Sequence, residues 1–211
     1  MRRTSRIGVA LASLLLCLSG CVASEPEGPV TDARIAGSLQ ELFQMALDTM
    51  NPSEVERVAI ENAIVSGRID SADYEAAHVR FVQCMVQQGY EPPFRKTAEG
   101  VYIMLPFFVG ETQEAQEAFD TVLIDCSQDN MVIDVLYRMQ QSNPDLLSDQ
   151  RLVAIQCLKK GGFVDVGYTV DDFDRDRGNG GEPTFPFDVY EDGPNDCLYG
   201  AGYAYFKITE D

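Results

Sequence analysis

The spacing of four cysteines is the feature that most constrains how this 211-residue chain can fold. Cys84 and Cys126 lie 42 residues apart, and Cys157 and Cys197 lie 40 residues apart. None of the four forms a Cys-x-x-Cys redox pair; the other two of the six cysteines, Cys17 and Cys21, lie in the N-terminal segment. If the chain is exported, an even number of remaining cysteines is typical of disulfides. Four cysteines allow three pairings, so their number alone leaves the connectivity open.

A sequence repeat favours one of these pairings. Residues 79–85 (VRFVQCM) align without gaps with residues 152–158 (LVAIQCL), and a glycine and an aromatic residue follow both segments at the same distance. An aspartate precedes the second cysteine of each pair. We therefore predict a diverged tandem repeat in which each unit closes its own disulfide. The predicted bridges are Cys84–Cys126 and Cys157–Cys197.

The first twenty residues have the pattern of a bacterial export signal. Three arginines precede an apolar core at residues 9–18, which is too short to span a bilayer. Residues Leu18-Ser19-Gly20-Cys21 match the lipobox of bacterial lipoproteins. This match favours a lipoprotein signal over an ordinary signal peptide with a chance cysteine. We predict cleavage before Cys21 and lipid on its sulfur. The lipid would hold the protein on the extracytoplasmic face of the cell membrane.

The charge of the chain limits its partners. All 34 acidic residues follow the predicted signal, together with 13 of the 16 basic ones, so the mature net charge is about −21. Such a chain repels the phosphate backbone of nucleic acids and the surface of anionic lipid. We therefore expect no nucleic-acid partner, and we expect the lipid on Cys21 to supply the membrane attachment.

The hydrophobic pattern divides the chain into five parts. Residues 1–20 are the predicted signal peptide, and residues 21–31 form a polar tether that contains two prolines. An N-terminal helical segment covers residues 32–70. The two predicted disulfide repeats cover residues 71–141 and 142–211. Because apolar residues recur mostly at three- and four-residue intervals, the predicted fold class is α+β, mostly α.

Several stretches lack the helical period. Residues 101–108 are too short and too apolar for anything but a buried strand or loop. Residues 163–170 are predicted as a strand, residues 171–183 as an acidic loop with glycines, and residues 199–208 as an extended aromatic segment. The predicted helices cover about 33–50, 54–66, 71–88, 112–126, 131–142 and 148–160.

The order of these motifs resembles that of a known group of proteins. The lipobox is followed by a tyrosine-bearing helix that ends in cysteine, glycine and an aromatic residue (74–90), by an Asn-Pro break and by a second Cys-Leu helix. This order resembles uncharacterised surface lipoproteins of actinobacteria over most of the mature chain. The resemblance implies an envelope lipoprotein, and it brings no activity, cofactor or site residue with it.

The sequence offers few groups for catalysis. His78 is the single histidine, it lies at the edge of a helix's apolar face, and no Gly-x-Ser-x-Gly motif occurs. A packing role for His78 is therefore favoured over a catalytic role. We also predict that the protein has no cofactor. One histidine is also too few for a zinc site of ordinary spacing. A pair of carboxylates acting on a glycan is the enzymatic alternative, although no motif marks such a pair.

The acidic segment after residue 170 suggests calcium. Asp172, Asp174 and Asp176 place oxygen ligands at alternating positions near glycines, as calcium sites do. The EF-hand register fails, however, because Arg177 or Asn179 stands where that loop requires glycine. Thr169 followed by Asp172 instead fits the start of a short helix. We therefore predict no metal site and keep the three aspartates as the calcium candidate.

The aromatic residues near the C-terminus suggest a groove. They could line a site for a sugar or a peptide, and packing on the core explains them equally well. The residues are Tyr190, Tyr199, Tyr203, Tyr205 and Phe206. We expect a non-catalytic, membrane-anchored binding or accessory module of the cell envelope, whose candidate partner is another envelope protein. The alternative is a secreted hydrolase that acts on cell-wall or glycan substrates through paired carboxylates.

Overall fold

The computed structural model describes residues 33–178 and 182–207, which form eight helices and one two-stranded hairpin. The mostly helical α+β class and both predicted disulfides are confirmed. The predicted signal peptide, Cys21 and the tether lie outside the described residues. The elements are α1 (Leu39–Thr49), α2 (Glu54–Ser66), α3 (Ser71–Gln87), β1 (Phe94–Lys96), β2 (Tyr102–Met104), α4 (Gln113–Ser127), α5 (Met131–Ser142), α6 (Gln150–Gly161), α7 (Val170–Arg177) and α8 (Asp192–Gly200).

Polar side chains set the starts of the predicted helices. Ser53 and Glu56 form a capping box at α2, in which each side chain accepts a hydrogen bond from the other residue's backbone N–H. The Thr112 hydroxyl accepts from the Ala115 N–H at the start of α4. Helix α2 ends at Gly67, whose positive φ of 83° favours glycine. These local signals explain why the boundaries of α2 and α4 could be predicted closely.

Helix α5 is the centre of the first hydrophobic core. Its residues Val132, Ile133 and Leu136 are buried, and the helix packs against α1, α2 and α3. The predicted N-terminal segment (32–70) and the first predicted repeat (71–141) therefore contribute to one core. The first repeat also contains a smaller hydrophobic cluster around Cys126, in which α3 packs against α4.

The second core lies beneath the Cys157–Cys197 bridge. Phe173, Leu158 and Leu198 are fully buried in it and come from α7, α6 and α8 respectively. Helix α8 also contacts α5 of the first core. In the described part of the chain, no helix is long and apolar enough to cross a membrane.

The two cysteine-bearing helices end in the same way. The Tyr90 N–H donates to the Met85 carbonyl at 2.9 Å, and the Phe163 N–H donates to the Leu158 carbonyl at 3.0 Å. Both bonds join positions one and six residues after the cysteine, as the aligned sequences require. The elements between the paired helices differ, since the first repeat inserts the hairpin and the second inserts α7. The repeat is thus conserved in its stapled helices and diverged in its connections.

Three predictions in the second repeat were wrong. Residues 163–169 form bends and turns rather than a strand, Val170 begins α7, and residues 171–177 of the predicted acidic loop belong to the same helix. The capping box of Thr169 and Asp172 starts that helix despite its high charge. The predicted extended segment 199–208 begins inside α8, and its described remainder is irregular, with no strand.

Helix α8 was not predicted because its first turn contains glycine and proline. Pro194 occupies the third position of α8. Backbone N–H groups in the first turn of a helix have no acceptor within the helix, so the N–H that proline lacks is not needed there. A proline there is compatible with the helix, although it breaks the hydrophobic pattern read from the sequence.

Candidate functional site

A groove between the β-hairpin and the C-terminal segment brings together aromatic side chains and an exposed lysine. It has a volume of about 310 Å³, which is within the usual size of a ligand site. One wall consists of Arg95 on β1 and of the two residues that come directly after β2 in the sequence. The other consists of Tyr190, the first turn of α8 and residues 205–207. We call it the hairpin groove, and its main lining residues are Arg95, Leu105, Pro106, Tyr190, Tyr205 and Phe206.

Arg95 braces one end of the hairpin groove. This β1 residue donates from Nη1 to the Asp196 carboxylate and from Nη2 to Asn195 Oδ1 at 2.8 Å. Its Nε lies 3.4 Å from the carboxylate of Asp192. Because all three guanidinium nitrogens have partners, Arg95 joins the first repeat to α8 rather than offering a free cation. Burial raises the pKa of Asp196, and the bond from Arg95 acts in the opposite direction.

Asn195 fixes the backbone on the other side of α8. Its side chain is buried, and its Nδ2 donates to the carbonyls of Val189 at 2.8 Å and Tyr205 at 2.9 Å. With Arg95 on its Oδ1, the amide is fully used. One buried amide therefore holds the C-terminal segment against the hairpin and shapes the groove between them.

Lys207 supplies an accessible cation at the rim of the groove. Its side chain is 64% exposed, and its ammonium lies 5.3 Å from the centre of the Tyr190 ring. Its distance from the Asp188 carboxylate is 3.9 Å, at the outer limit of an ion pair. Such an exposed pair contributes little to stability, so Lys207 can turn towards an anionic ligand group.

The backbone beside the groove has free hydrogen-bonding groups. Leu105 N–H donates to the Pro93 carbonyl, which continues the hairpin pairing. Beyond it, residues 107–109 make no backbone hydrogen bond to any described residue, and the same holds for residues 206–207 across the groove. Unpaired backbone of this kind can pair with an added strand.

No protein-family model, no curated protein and no solved structure matches the chain. The resemblance to actinobacterial surface lipoproteins is carried by the motifs alone and stays a prediction.

The structure brings three of the five predicted aromatic residues together. Tyr190, Tyr205 and Phe206 line the hairpin groove. Tyr199 instead packs against the first core, and Tyr203 packs against Phe173 in the second core. Sequence reasoning missed Arg95 and Asn195, because their contact joins residues 100 positions apart and no local motif marks it.

His78 has a packing role. Its ring stacks on Tyr102 with a centroid distance of 3.6 Å, and it meets the edge of Phe94 at 4.6 Å. Burial lowers the pKa of His78, and Lys96 lowers it further, whereas Glu75 opposes the shift. The imidazole therefore favours its neutral form in the folded protein.

Asp172, the first residue of the calcium candidate, is a helix cap. Its carboxylate accepts from the hydroxyl of Thr169 at 2.7 Å and from the backbone N–H of Thr169 at 2.8 Å. Arg175 adds a third bond at 2.8 Å. These bonds, in that order of size, lower the pKa of Asp172 to about 2.

The other two aspartates of the candidate are also engaged by the protein. Asp174 accepts from Arg151 at 3.0 Å, and Asp176 accepts from the Tyr168 hydroxyl at 2.9 Å. Within residues 33–178 and 182–207, no three His, Cys, Asp or Glu side chains are placed to share a metal ion. The carboxylates thus serve α7 and its neighbours, while Asn179 lies outside the described residues.

A partly buried carboxylate lies beside the first core, away from the hairpin groove. Asp134 on α5 accepts from the Tyr74 hydroxyl at 3.1 Å, and the same hydroxyl accepts from the Tyr102 N–H at 2.9 Å. Burial raises the pKa of Asp134, although Tyr74 and Arg138 act against it. This acid joins α3, β2 and α5 and is a structural group.

Proposed function

We propose that this protein is an extracytoplasmic lipoprotein, anchored to the cell membrane through lipid on Cys21, and that it acts as a non-catalytic binding module of the cell envelope. The export signal and lipobox support the anchoring. The hairpin groove supports the binding role, because it offers aromatic faces and a rim cation, and because unpaired backbone lines it at residues 206–207 and continues from its Leu105 and Pro106 at residues 107–109.

The ligand that fits the hairpin groove best is an extended peptide segment of an envelope protein. The observation that carries this proposal is the unpaired backbone at residues 107–109 and 206–207. An extended peptide can add as a strand, so that its main chain provides affinity while alternate side chains contact Tyr190 and Phe206. A glycan would leave much of this backbone without an amide partner.

The groove favours recognition over hydrolysis. Asp192 is the one carboxylate among its lining residues, and Arg95 lies 3.4 Å from it. Hydrolysis of a glycosidic bond needs two carboxylates that converge on the substrate. The hairpin groove does not present such a pair.

Peptide binding can be tested with the full chain in phospholipid nanodiscs. Overlapping peptides from the exported proteins of the same cell would be screened on an array, and the hits measured by calorimetry. We expect Phe206→Ala and Tyr190→Ala to weaken binding about tenfold or more. Val166→Ala is the matched control, since Val166 is 91% exposed and outside the groove.

The mode of binding has its own test. Methylation of the backbone nitrogens of a bound peptide should abolish binding at positions that lie between the two sides of the groove, whereas methylation of nitrogens outside this stretch should not, because both sides carry unpaired backbone. Equal affinity for all methylated peptides, or failure of every array peptide to bind, would contradict the proposal.

A further inference from the structure

A second groove lies between α2 and α3, on elements that do not contribute to the hairpin groove. Its volume is about 360 Å³, a size typical of small-molecule sites. Helices α2 and α3 each pack against α5, and the shallow space left between them is the groove. Its apolar surface consists of Val55, Val58, Ala59 and Ala76, with Val55 46% and Val58 52% exposed.

Arg80 lines this groove and is under-used. Its one hydrogen bond in the described structure runs from Nη2 to the Asp129 carbonyl, and at 3.4 Å it is long. Its Nε is shielded from solvent and has no partner. Arg80 also forms no ion pair with any described carboxylate, in a chain that carries 34 acidic residues. A partly buried guanidinium of this kind is suited to a ligand carboxylate.

The same groove carries the opposite charge as well. Glu54 and Asp73 are among its lining residues, and neither is paired with Arg80. Asp73 and Arg80 lie seven residues apart on α3, on one face and about 10 Å apart along the axis. The groove therefore has carboxylates that can accept hydrogen bonds from a ligand ammonium and a guanidinium that can donate to a ligand carboxylate, with an apolar surface between them.

We propose that the α2–α3 groove binds a free di- or tripeptide with apolar side chains. Such a peptide spans at most about 7 to 11 Å, which is similar to the rise of about 10 Å along α3 from the backbone of Asp73 to that of Arg80. Its carboxylate would bind Arg80, its ammonium would bind Asp73 or Glu54, and its side chains would cover Val55 and Val58. This site is independent of the hairpin groove and of the function proposed for it.

Ligand chemistry provides the first test, which needs no variant. Calorimetry on the full chain in nanodiscs would compare Ala-Leu and Ala-Leu-Leu with their C-terminally amidated and N-acetylated forms. We expect the free peptides to bind at about millimolar concentration or better, and either blocking group to weaken binding about tenfold. Absence of binding by both free peptides, or equal binding of the free and amidated forms, would overturn the proposal.

Variants then locate the site. Arg80→Met keeps the apolar stem and should reduce the affinity for the free peptides to that of the amidated ones, while Arg68→Met, an exposed arginine outside the groove, should change nothing. Phe206→Ala should bind the free peptides like the wild type. If Phe206→Ala loses that binding and Arg80→Met keeps it, the peptides occupy the hairpin groove and the α2–α3 site is disproved. Unchanged binding in both Arg80→Met and Asp73→Asn would disprove it too.

Discussion

Glu56 carries two structural roles with one carboxylate. Its residue exposure is 1%, and its Oε2 accepts from the Ser53 N–H at 3.0 Å as part of the α2 capping box. Its Oε1 accepts from the backbone N–H groups of Val132 at 2.8 Å and Ile133 at 3.3 Å, at the start of α5. The N-cap residue of α5, Asn130, makes no side-chain capping bond. Glu56 supplies that cap from another helix and places negative charge at the positive end of α5.

Glu56→Gln should therefore be costly although it is nearly isosteric. The amide NH₂ of glutamine would face backbone donors, so one set of buried N–H groups would lose its acceptor. We expect a loss of about 2–4 kcal/mol in the free energy of unfolding, measured by urea titration. Glu61→Gln on the exposed side of α2 is the matched control and should change it by less than about 0.5 kcal/mol. Equal, small effects of both changes would contradict the role given to Glu56.

His78 should make stability depend on pH. The pKa of His78 is lower in the folded protein than in the unfolded chain. At a pH between these two pKa values, the unfolded state therefore binds a proton more readily than the folded state does. The contribution of His78 is therefore complete above its unfolded pKa of about 6.5 and is lost as the pH falls towards its folded value.

The variant His78→Phe isolates this contribution. Phenylalanine keeps a ring on Tyr102 and removes the titrating group. We expect the wild type to lose more stability than His78→Phe between about pH 7.5 and pH 5, by urea titration at each pH. The raised pKa values of Asp134 and Asp196 act with the opposite sign, and they are common to both proteins. Parallel pH profiles of the two proteins would show that the imidazole does not titrate differently on folding.

At the scale of elements, local signals made α1 to α6 predictable. Ser53, Thr112 and Asp149 act as caps within the sequence that they cap, and Gly67 and Gly162 end helices by positive φ. The predicted start of α1 at residue 33 was too early, because Ser38 is its N-cap. Residues 33–36 carry helical spacing but instead pair with residues 146–148.

Tertiary contacts decided the elements that could not be predicted. Helix α7 is strongly charged, and its stability depends on the burial of Phe173 and on the pairing of Asp174 with Arg151. Strand β1 is three residues long and exists through its pairing with β2. The hairpin groove depends on Arg95 and Asn195 in the same way, so only its aromatic residues were accessible to sequence reasoning.

Removal of either disulfide should destabilise mainly the repeat that contains it. Each disulfide closes a loop of about 40 residues and should stabilise the protein by about 4 kcal/mol in the chain-entropy model. Cys84→Ala/Cys126→Ala should reduce hydrogen-exchange protection mainly in α4 and the hairpin, and Cys157→Ala/Cys197→Ala mainly in α7 and α8, because each bridge covers its own cluster. A uniform loss of protection in both variants would show that the repeats unfold as one unit.

At the scale of the molecule, the repeats are held together by few but specific contacts. Helix α5 packs against α8, Arg95 reaches the acidic side chains of α8, and the Ile35 N–H donates to the Leu146 carbonyl at 2.7 Å. The last contact ties the start of the described chain to the segment between α5 and α6, at the beginning of the second repeat. The first core, the second core and the N-terminal stretch therefore meet at this junction.

Attachment to the membrane is a prediction about the whole protein. Cys21→Ser should abolish incorporation of labelled fatty acid and release the protein from the membrane fraction, since the predicted acyl chains are the anchor. Cys17→Ser, within the predicted signal core, is the matched control and should leave labelling unchanged. Equal labelling of Cys21→Ser and the wild type would disprove the lipoprotein proposal.

The order of the bridges along the chain has a consequence for biosynthesis. The Cys84–Cys126 loop ends in the sequence before the Cys157–Cys197 loop begins, so the two loops follow one another and do not interleave. In a chain that emerges N-terminus first, the nearest exposed thiol already present is the correct partner for both Cys126 and Cys197. Lipid on Cys21, as proposed, would block the one earlier thiol of the mature chain that could compete. An oxidant that simply joins consecutive thiols would then produce the native protein, without a step of disulfide reshuffling.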